Sequence, residues 1–221
     1  MLALARSPSA GVPVVLARGR VLTAFLFVVA ATCVSALVAV RLSSETNIDQ
    51  LFLPETRHPV ITAMLITLGT ERTAVLIYLA QRSFDAVVAA TAFTPFFVWI
   101  LGSTAVHASA RLAHVRRPFV PILVLFGYAA GLTLVPSSGA TLVFGVGRDT
   151  GAQLAQAIGV VCLAWLAVIA YRGVRAHYGV ERDPTIRILV VALVLFYLVP
   201  LALMLVAAIS IIVAALVLGY F

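Results

Sequence analysis

Two long uncharged runs on either side of a short arginine-rich turn limit most strongly what this chain can fold into. The runs cover residues 86–110 and 119–146, which are 25 and 28 residues without a charged side chain. An α-helix rises about 1.5 Å per residue, so about 20 apolar residues cross a hydrocarbon core of roughly 30 Å. Each run is therefore long enough to span a membrane.

The composition agrees with a membrane location for the whole chain. Hydrophobic residues make up 63% of it and charged residues only 10%, with a mean hydropathy of +1.14. Water-soluble domains do not have this composition. We predict an all-α integral membrane protein: a cytoplasmic N-terminal arm at 1–20, then one domain at 21–221 that forms a bundle of five transmembrane helices. The predicted spans are 21–40, 86–110, 119–146, 152–171 and 188–221.

The arginines indicate the orientation of these spans. Short loops rich in arginine are retained on the cytoplasmic side of a membrane. Arginines cluster in the N-terminal arm, in the turn at 111–117 and in the turn at 172–187. Five spans place all three clusters on one side. We therefore predict a cell-membrane protein with a cytoplasmic N-terminus and an extracytoplasmic C-terminus.

The connector at 41–85 is the most ambiguous stretch. Glu71 and Arg72 interrupt its apolar part, and two charges near the bilayer centre would each cost several kcal/mol. We therefore predict one or two amphipathic helices in an extracytoplasmic connector. A true crossing through 59–80 stays open as an alternative. The first span is expected to be retained, because 20 residues exceed a typical signal-peptide core, although cleavage near Ser35 also stays open.

The residue types exclude several functions. All 15 basic residues are arginine, so a retinal Schiff base, a lysine nucleophile and a P-loop lysine are absent. The net charge of +7 lies in the gaps between apolar runs, where membrane topology explains it better than nucleic-acid binding does. Cys33 and Cys162 have no metal-binding or redox spacing. We predict no cofactor, no metal and no nucleic-acid partner.

Catalysis is not expected either. Ser103 and His107 lie four residues apart on one helix face, as a nucleophile and its base could. The chain lacks a G-x-S-x-G elbow and a nearby carboxylate to orient the histidine. We interpret His107 as an interfacial residue that hydrogen-bonds to backbone. Transport would need a polar stripe through several spans. The polar groups available for one are Thr94, Ser103, Thr133, Gln153 and Gln156.

The third span carries a helix-packing pattern. Gly127 and Gly131 in G-Y-A-A-G let a neighbouring helix approach closely. This favours packing within the chain over a homo-oligomer interface, which remains an alternative. Tyr128 needs a hydrogen-bond partner inside the bundle. The segment at 136–139, which begins with Pro136, is expected to break the helix.

Eight residues in the third span, the fourth span and the second basic turn form a pattern: Gly127, Tyr128, Ala129, Pro136, Trp165, Gly173, His177 and Gly179. In order and spacing they resemble a known family, the Yip1 domain. The resemblance spans about residues 86–200 and implies a five-helix membrane domain with a cytoplasmic N-terminus. The acidic D-L-x-G-P-type motif of eukaryotic members has no counterpart here, so their Rab GTPase binding is not carried over.

These observations predict a non-catalytic Yip1-like membrane scaffold, or a partner- or lipid-binding module. The alternative is a small transporter or channel subunit. The expected ligands are anionic lipid headgroups on the cytoplasmic side, and a membrane or soluble protein partner is also compatible with the pattern. The candidate binding residues are Arg111, Arg116, Arg117, Arg172 and Arg175. The candidate packing residues are Gly127, Tyr128, Gly131, Pro136, Trp165 and Gly173.

The topology can be tested by cysteine labelling. Single cysteines at Thr46, Val115, Thr150 and Thr185, in a background without Cys33 and Cys162, should label alternately. An impermeant reagent added to intact cells should reach Thr46 and Thr150, and should not reach Val115 and Thr185. Labelling of Val115 from outside would contradict the five-span topology.

Overall fold

The structure, a computed structural model, describes residues 2–45, 59–145 and 150–217, and within these stretches every regular element is a helix. The all-α prediction is therefore confirmed. Together the elements follow the long apolar runs of the sequence. They are α1 (Leu2–Arg6), α2 (Pro8–Arg18), α3 (Val21–Glu45), α4 (Pro59–Ala92), α5 (Thr94–Phe97), a π-helix (Val98–Gly102), α6 (Ser103–Leu112), α7 (Val120–Phe144), α8 (Thr150–Tyr178) and α9 (Arg182–Val217).

Five helices in the described residues are long and apolar enough to cross a membrane. The protein is thus a multi-pass membrane protein, as the sequence predicts. Four of these helices follow predicted spans, whereas the second shares only residues 86–92 with the predicted span 86–110. The five are Val21–Ser44, Leu65–Ala92, Val120–Phe144, Thr150–Tyr178 and Arg182–Ala202.

The second span differs because the run at 86–110 is not one continuous α-helix. α4 ends at Ala92, and a turn at Phe93 precedes Pro95. Proline has no backbone N–H and clashes with the preceding helical turn, so it interrupts a helix. The rest of the run is divided among α5, the π-helix and α6. The helix long enough to span begins earlier, at Leu65. The number of spans is unchanged, and so are the predicted sides of the basic turns.

The described part of the connector is helical. α4 begins at Pro59 and carries an interruption at Gly69, whose φ of 78° is left-handed. Glu71 and Arg72 follow this interruption, and both are exposed. Residues 46–58, including the labelling position Thr46, lie outside the described residues.

The chain divides into two compact units. Unit 1 comprises Met1–Phe27, Phe97–Ala130 and Trp165–Phe221. Its N-terminal arm is folded, because α1 packs closely on α2 at Gly11. A Cβ added to Gly11 would lie 2.3 Å from the Cα of Leu4. Leu4 is completely buried as a result. Gly19 then brings the arm against α7, because its Cβ would lie 2.6 Å from Cγ1 of Val124.

A close helix contact forms at the first half of α7, also within unit 1. The indole Nε1 of Trp99, on the π-helix, donates a hydrogen bond of 2.8 Å to the carbonyl oxygen of Leu123. A Cβ on Gly127 would lie 3.0 Å from this Nε1 and 2.7 Å from the Cβ of Ala24. Glycine at this position therefore leaves room both for α3 and for the tryptophan.

Unit 2 comprises Val28–Phe96 and Gly131–Ala164. Its core is built from small and medium side chains of α3 and α4, around Ala39, Val88 and Ala92. Asp85 on α4 accepts hydrogen bonds from Ser43 Oγ at 3.0 Å and from Gln81 Nε2 at 3.1 Å, so its carboxylate is solvated by protein groups.

Two expectations from the sequence need correction. The predicted helix break at 136–139 does not occur, because α7 continues through Pro136 and ends at Phe144, before the left-handed Gly145. Pro136 is exposed, so its ring and its missing N–H are accommodated at the helix surface. Thr185 is fully buried and donates to the Glu181 carbonyl at 2.6 Å, so the exposed Arg182 is the better labelling position in that turn.

The close contact at Gly127 predicts a stability effect. Gly127→Leu should lower the free energy of unfolding of the detergent-solubilised protein by about 1–3 kcal/mol, because the added atoms overpack Ala24 and displace Trp99. Gly139→Leu is the matched control in the same helix, since nothing lies within 4 Å of a Cβ built there. Thermal unfolding of the two variants measures the difference. Equal melting temperatures would contradict the contact.

Candidate functional site

The two basic turns of unit 1 lie against each other. The Nε2–H of His177, near the end of α8, donates to the carbonyl oxygen of Pro118 at 2.8 Å. α6 also contacts the end of α8, because Nδ1 of His107 on α6 is 3.1 Å from the hydroxyl of Tyr178. The sequence predicted a backbone hydrogen bond for His107, and the structure gives it this side-chain partner instead.

A third contact ties the start of α9 to the same region. The buried hydroxyl of Ser109, on α6, donates to the carbonyl oxygen of Ile188 at 2.7 Å. α6 is therefore bonded to α9, and the loop that follows α6 is bonded to α8.

All five arginines singled out from the sequence are exposed in this region. Arg182 and Arg187 on α9 are exposed as well. None of the seven guanidinium groups forms an ion pair with a carboxylate among the described residues. We call this set the arginine surface. Its members are Arg111, Arg116, Arg117, Arg172, Arg175, Arg182 and Arg187.

The charge of unit 1 is strongly one-sided. By sequence, unit 1 holds ten arginines against two carboxylates, Glu181 and Asp183, which is a net charge of +8. Unit 2, counted in the same way, holds five arginines against six carboxylates, a net charge of −1. The net positive charge of the chain thus lies on unit 1, where it attracts anions.

The folded N-terminal arm adds a cavity to the arginine surface. The cavity has a volume of about 330 Å³ and lies between α2 and the last turns of α8. Arg172 and Arg175 line it from α8, and Ser9 and Val12 line it from α2. Sequence reasoning missed this site because it treated the arm as a basic tail. The apolar spacing of Pro8, Val12 and Val15, which is typical of one helix face, was the available signal.

Gly173 packs closely between these arginines. A Cβ on Gly173 would lie 2.2 Å from Cδ2 of Leu125 on α7. Leu125 is completely buried. The close approach of α8 to α7 therefore fixes the helix that carries Arg172 and Arg175.

The remaining candidate packing residues occupy different environments. The ring of Tyr128 packs on the ring of Phe27 with centroids 5.3 Å apart. Gly131 is buried on α7, Trp165 is half-buried on α8, and Pro136 is exposed. Trp99, which sequence reasoning passed over, makes the most specific polar contact with α7, and an indole inside an apolar run was the signal for it.

Ser103 and His107, the pair with the spacing of a nucleophile and its base, are not hydrogen-bonded to each other. Ser103 Oγ donates to the carbonyl oxygens of Trp99 and Ile100, at 2.5 and 3.1 Å, and His107 pairs with Tyr178. The serine and histidine therefore have separate partners. No group of three or more His, Cys, Asp or Glu side chains that could hold a metal ion occurs in the described part of the chain.

The helices define an all-α, multi-pass membrane protein, and seven arginines of its unit 1 are exposed. The sequence model of the Yip1 domain family matches residues 2–204, and the chain belongs to this family. The match is wider than the resemblance at 86–200, since it includes the arm and the connector. The apolar tail beyond Met204 stays outside it. No curated protein and no solved structure matches the chain.

The contact at Pro118 predicts that His177 holds the two turns together. Replacing His177 by Asn removes the imidazole that reaches the Pro118 carbonyl, so the loop at 113–119 should become more mobile relative to α8. Spin labels at positions 116 and 182 measure this as a broader distance distribution.

His114→Asn is the matched control, because His114 is exposed with a φ of 60°, a backbone conformation that asparagine tolerates. An equally narrow distance distribution in both variants and in the wild type would show that the His177 contact does not order the loop.

Proposed function

We propose that this Yip1-domain protein is a non-catalytic membrane scaffold that binds anionic phospholipids through its arginine surface. The observation that carries the proposal is the concentration of seven exposed arginines, without carboxylate partners among the described residues, on a unit of net charge +8. Each arginine near an anionic leaflet contributes about 1 kcal/mol of attraction. A surface of this charge also suits the acidic face of a protein partner.

The orientation is part of the proposal. Arginine-rich loops are retained in the cytoplasm, so the arginine surface faces the cytoplasm and the N-terminus lies on the same side. In a cell membrane this leaflet carries anionic lipid in contact with the basic turns. The charge difference between the two units supports this assignment, because the positive charge is not spread over the loops of the whole chain.

A second candidate function is a small transporter or channel subunit. A cavity of about 190 Å³ in unit 2 favours it, since Ser137, Thr141 and Gln156 line this cavity. A conducting path needs further polar groups in series. Ser103 does not supply one, because its hydroxyl is used by carbonyls of its own helical segment. We therefore retain the scaffold as the main proposal.

Neutralising two arginines tests lipid binding. The double variant Arg116→Gln/Arg117→Gln should reduce the preference for spin-labelled phosphatidylglycerol over phosphatidylcholine at low salt, by up to about fivefold per arginine. The preference of the wild type should fall as ionic strength rises. The fraction of motionally restricted lipid in reconstituted bilayers measures both effects.

Arg72→Gln/Arg82→Gln is the matched control, because it removes two exposed arginines from unit 2. Its lipid preference should equal that of the wild type. If the Arg116/Arg117 variant also keeps the wild-type preference at every ionic strength, these arginines only orient the protein and the proposal fails.

A further inference from the structure

The cavity between the N-terminal arm and α8 has the chemistry of a defined binding site. Its two guanidinium groups, on Arg172 and Arg175, are three residues apart and so project from one face of α8. No carboxylate lines the cavity, and neither arginine forms an ion pair among the described residues. The positive charge inside it is therefore available to a ligand.

The opposite wall of the cavity has a different character. Pro8 and Val12 are buried and give this wall an apolar floor, while the Ser9 hydroxyl, 2.8 Å from the Ser7 hydroxyl, lies at its edge. Ser9 lies in the first turn of α2, at the positive end of the helix dipole. The cavity thus offers two cationic donors, one hydroxyl and an apolar surface to a single ligand.

We infer that this cavity binds a phosphate ester, such as the headgroup phosphate of an anionic phospholipid. A guanidinium group pairs with two oxygens of a phosphate or a carboxylate at once. The phosphate of a phospholipid keeps two unesterified oxygens, and each of them accepts more than one hydrogen bond, so one phosphate can pair with both arginines and the hydroxyl. The donor set therefore fits a phosphate ester.

The size of the cavity limits how much of a lipid it holds. Small-molecule sites commonly have volumes of roughly 300–1,000 Å³, and 330 Å³ is at the low end of that range. The cavity is large enough for a phosphate with a short polar substituent and too small for acyl chains. The apolar floor at Pro8 and Val12 accommodates the carbon atoms next to the phosphate.

This site deepens the proposed function and rests on it, because the cavity belongs to the arginine surface. The difference between them is stoichiometry. Attraction to the whole surface is diffuse and falls steeply with salt, whereas a cavity binds one ligand saturably. Saturable binding requires the folded arm, because the arm forms one of the two walls of the cavity.

The experiment uses the full chain in neutral detergent, titrated with short-chain phosphatidylglycerol and followed by native mass spectrometry. One phosphatidylglycerol should bind saturably, and more tightly than short-chain phosphatidylcholine. Arg172→Gln/Arg175→Gln should weaken this binding at least tenfold. Ser9→Trp should weaken it comparably while retaining all the arginines, since the indole fills the cavity from an exposed position.

Inorganic phosphate distinguishes the two sources of the ligand. Displacement of the lipid by millimolar phosphate would identify a soluble phosphate compound as a ligand of the site, and retention of the lipid would identify the lipid headgroup. Wild-type affinity in the folded Arg172/Arg175 variant, or binding without saturation, would overturn the proposal. If the double variant does not fold, wild-type affinity in Ser9→Trp overturns it equally.

Arg116→Gln/Arg117→Gln separates this proposal from the previous one, because these arginines do not line the cavity. Its single-site affinity in detergent should stay within about twofold of the wild type. Loss of bilayer selectivity in this variant with intact single-site binding supports both proposals. If this variant keeps its bilayer selectivity while one phosphatidylglycerol still binds saturably in detergent, only the surface proposal is wrong. If it loses its bilayer selectivity and no saturable binding to the cavity is found, only the cavity proposal is wrong.

Discussion

Close approach of helix backbones, at positions where a side chain is missing, is the constraint on which unit 1 depends. Lipid tails are as apolar as leucine, so burial does not drive helices together in a membrane and packing must do so. Gly127 allows contact with Ala24 and Trp99, and Gly173 allows contact with Leu125. The Trp99 hydrogen bond adds a directional interaction in a medium without competing water. α7 is thereby held on two sides.

The position of the arginine surface follows from this packing. α8 is fixed on α7 near Gly173, so the last turns of α8 reach the loop at 113–119 and His177 pairs with Pro118. Ser109 holds the start of α9 in the same region. The arginine side chains repel one another. The helices that carry them are held together by uncharged hydrogen bonds among histidine, tyrosine and serine side chains and backbone carbonyls. Charge and packing are carried by different residues here.

The sequence was sufficient to predict the helical class and the number of spans, because run length and arginine position follow directly from membrane physics. The family was identified separately, from the residues that resemble the Yip1 domain. The candidate spanning helix Leu65–Ala92 differs from the predicted second span at 86–110, since hydropathy alone does not register how Pro95 divides an uncharged run. The arm was underestimated for a related reason: α1 and α2 are too short to be stable alone, and their order comes from tertiary contacts at Leu4 and Val124. The cavity depends on those contacts, so the sequence alone could not predict it either.

The folded arm also has a consequence for biosynthesis. The arm is translated before α7 and α8, and Val124 and Arg172, against which it packs, lie about a hundred and about 150 residues further along the chain. At roughly 5–20 residues per second, the ribosome needs roughly 8–30 seconds to add that length. During this interval the apolar face with Val12 and Val15 has no protein to cover it, and a membrane surface is the nearest apolar phase. Docking of the arm is therefore a late event that can occur only once α7 and α8 have been inserted.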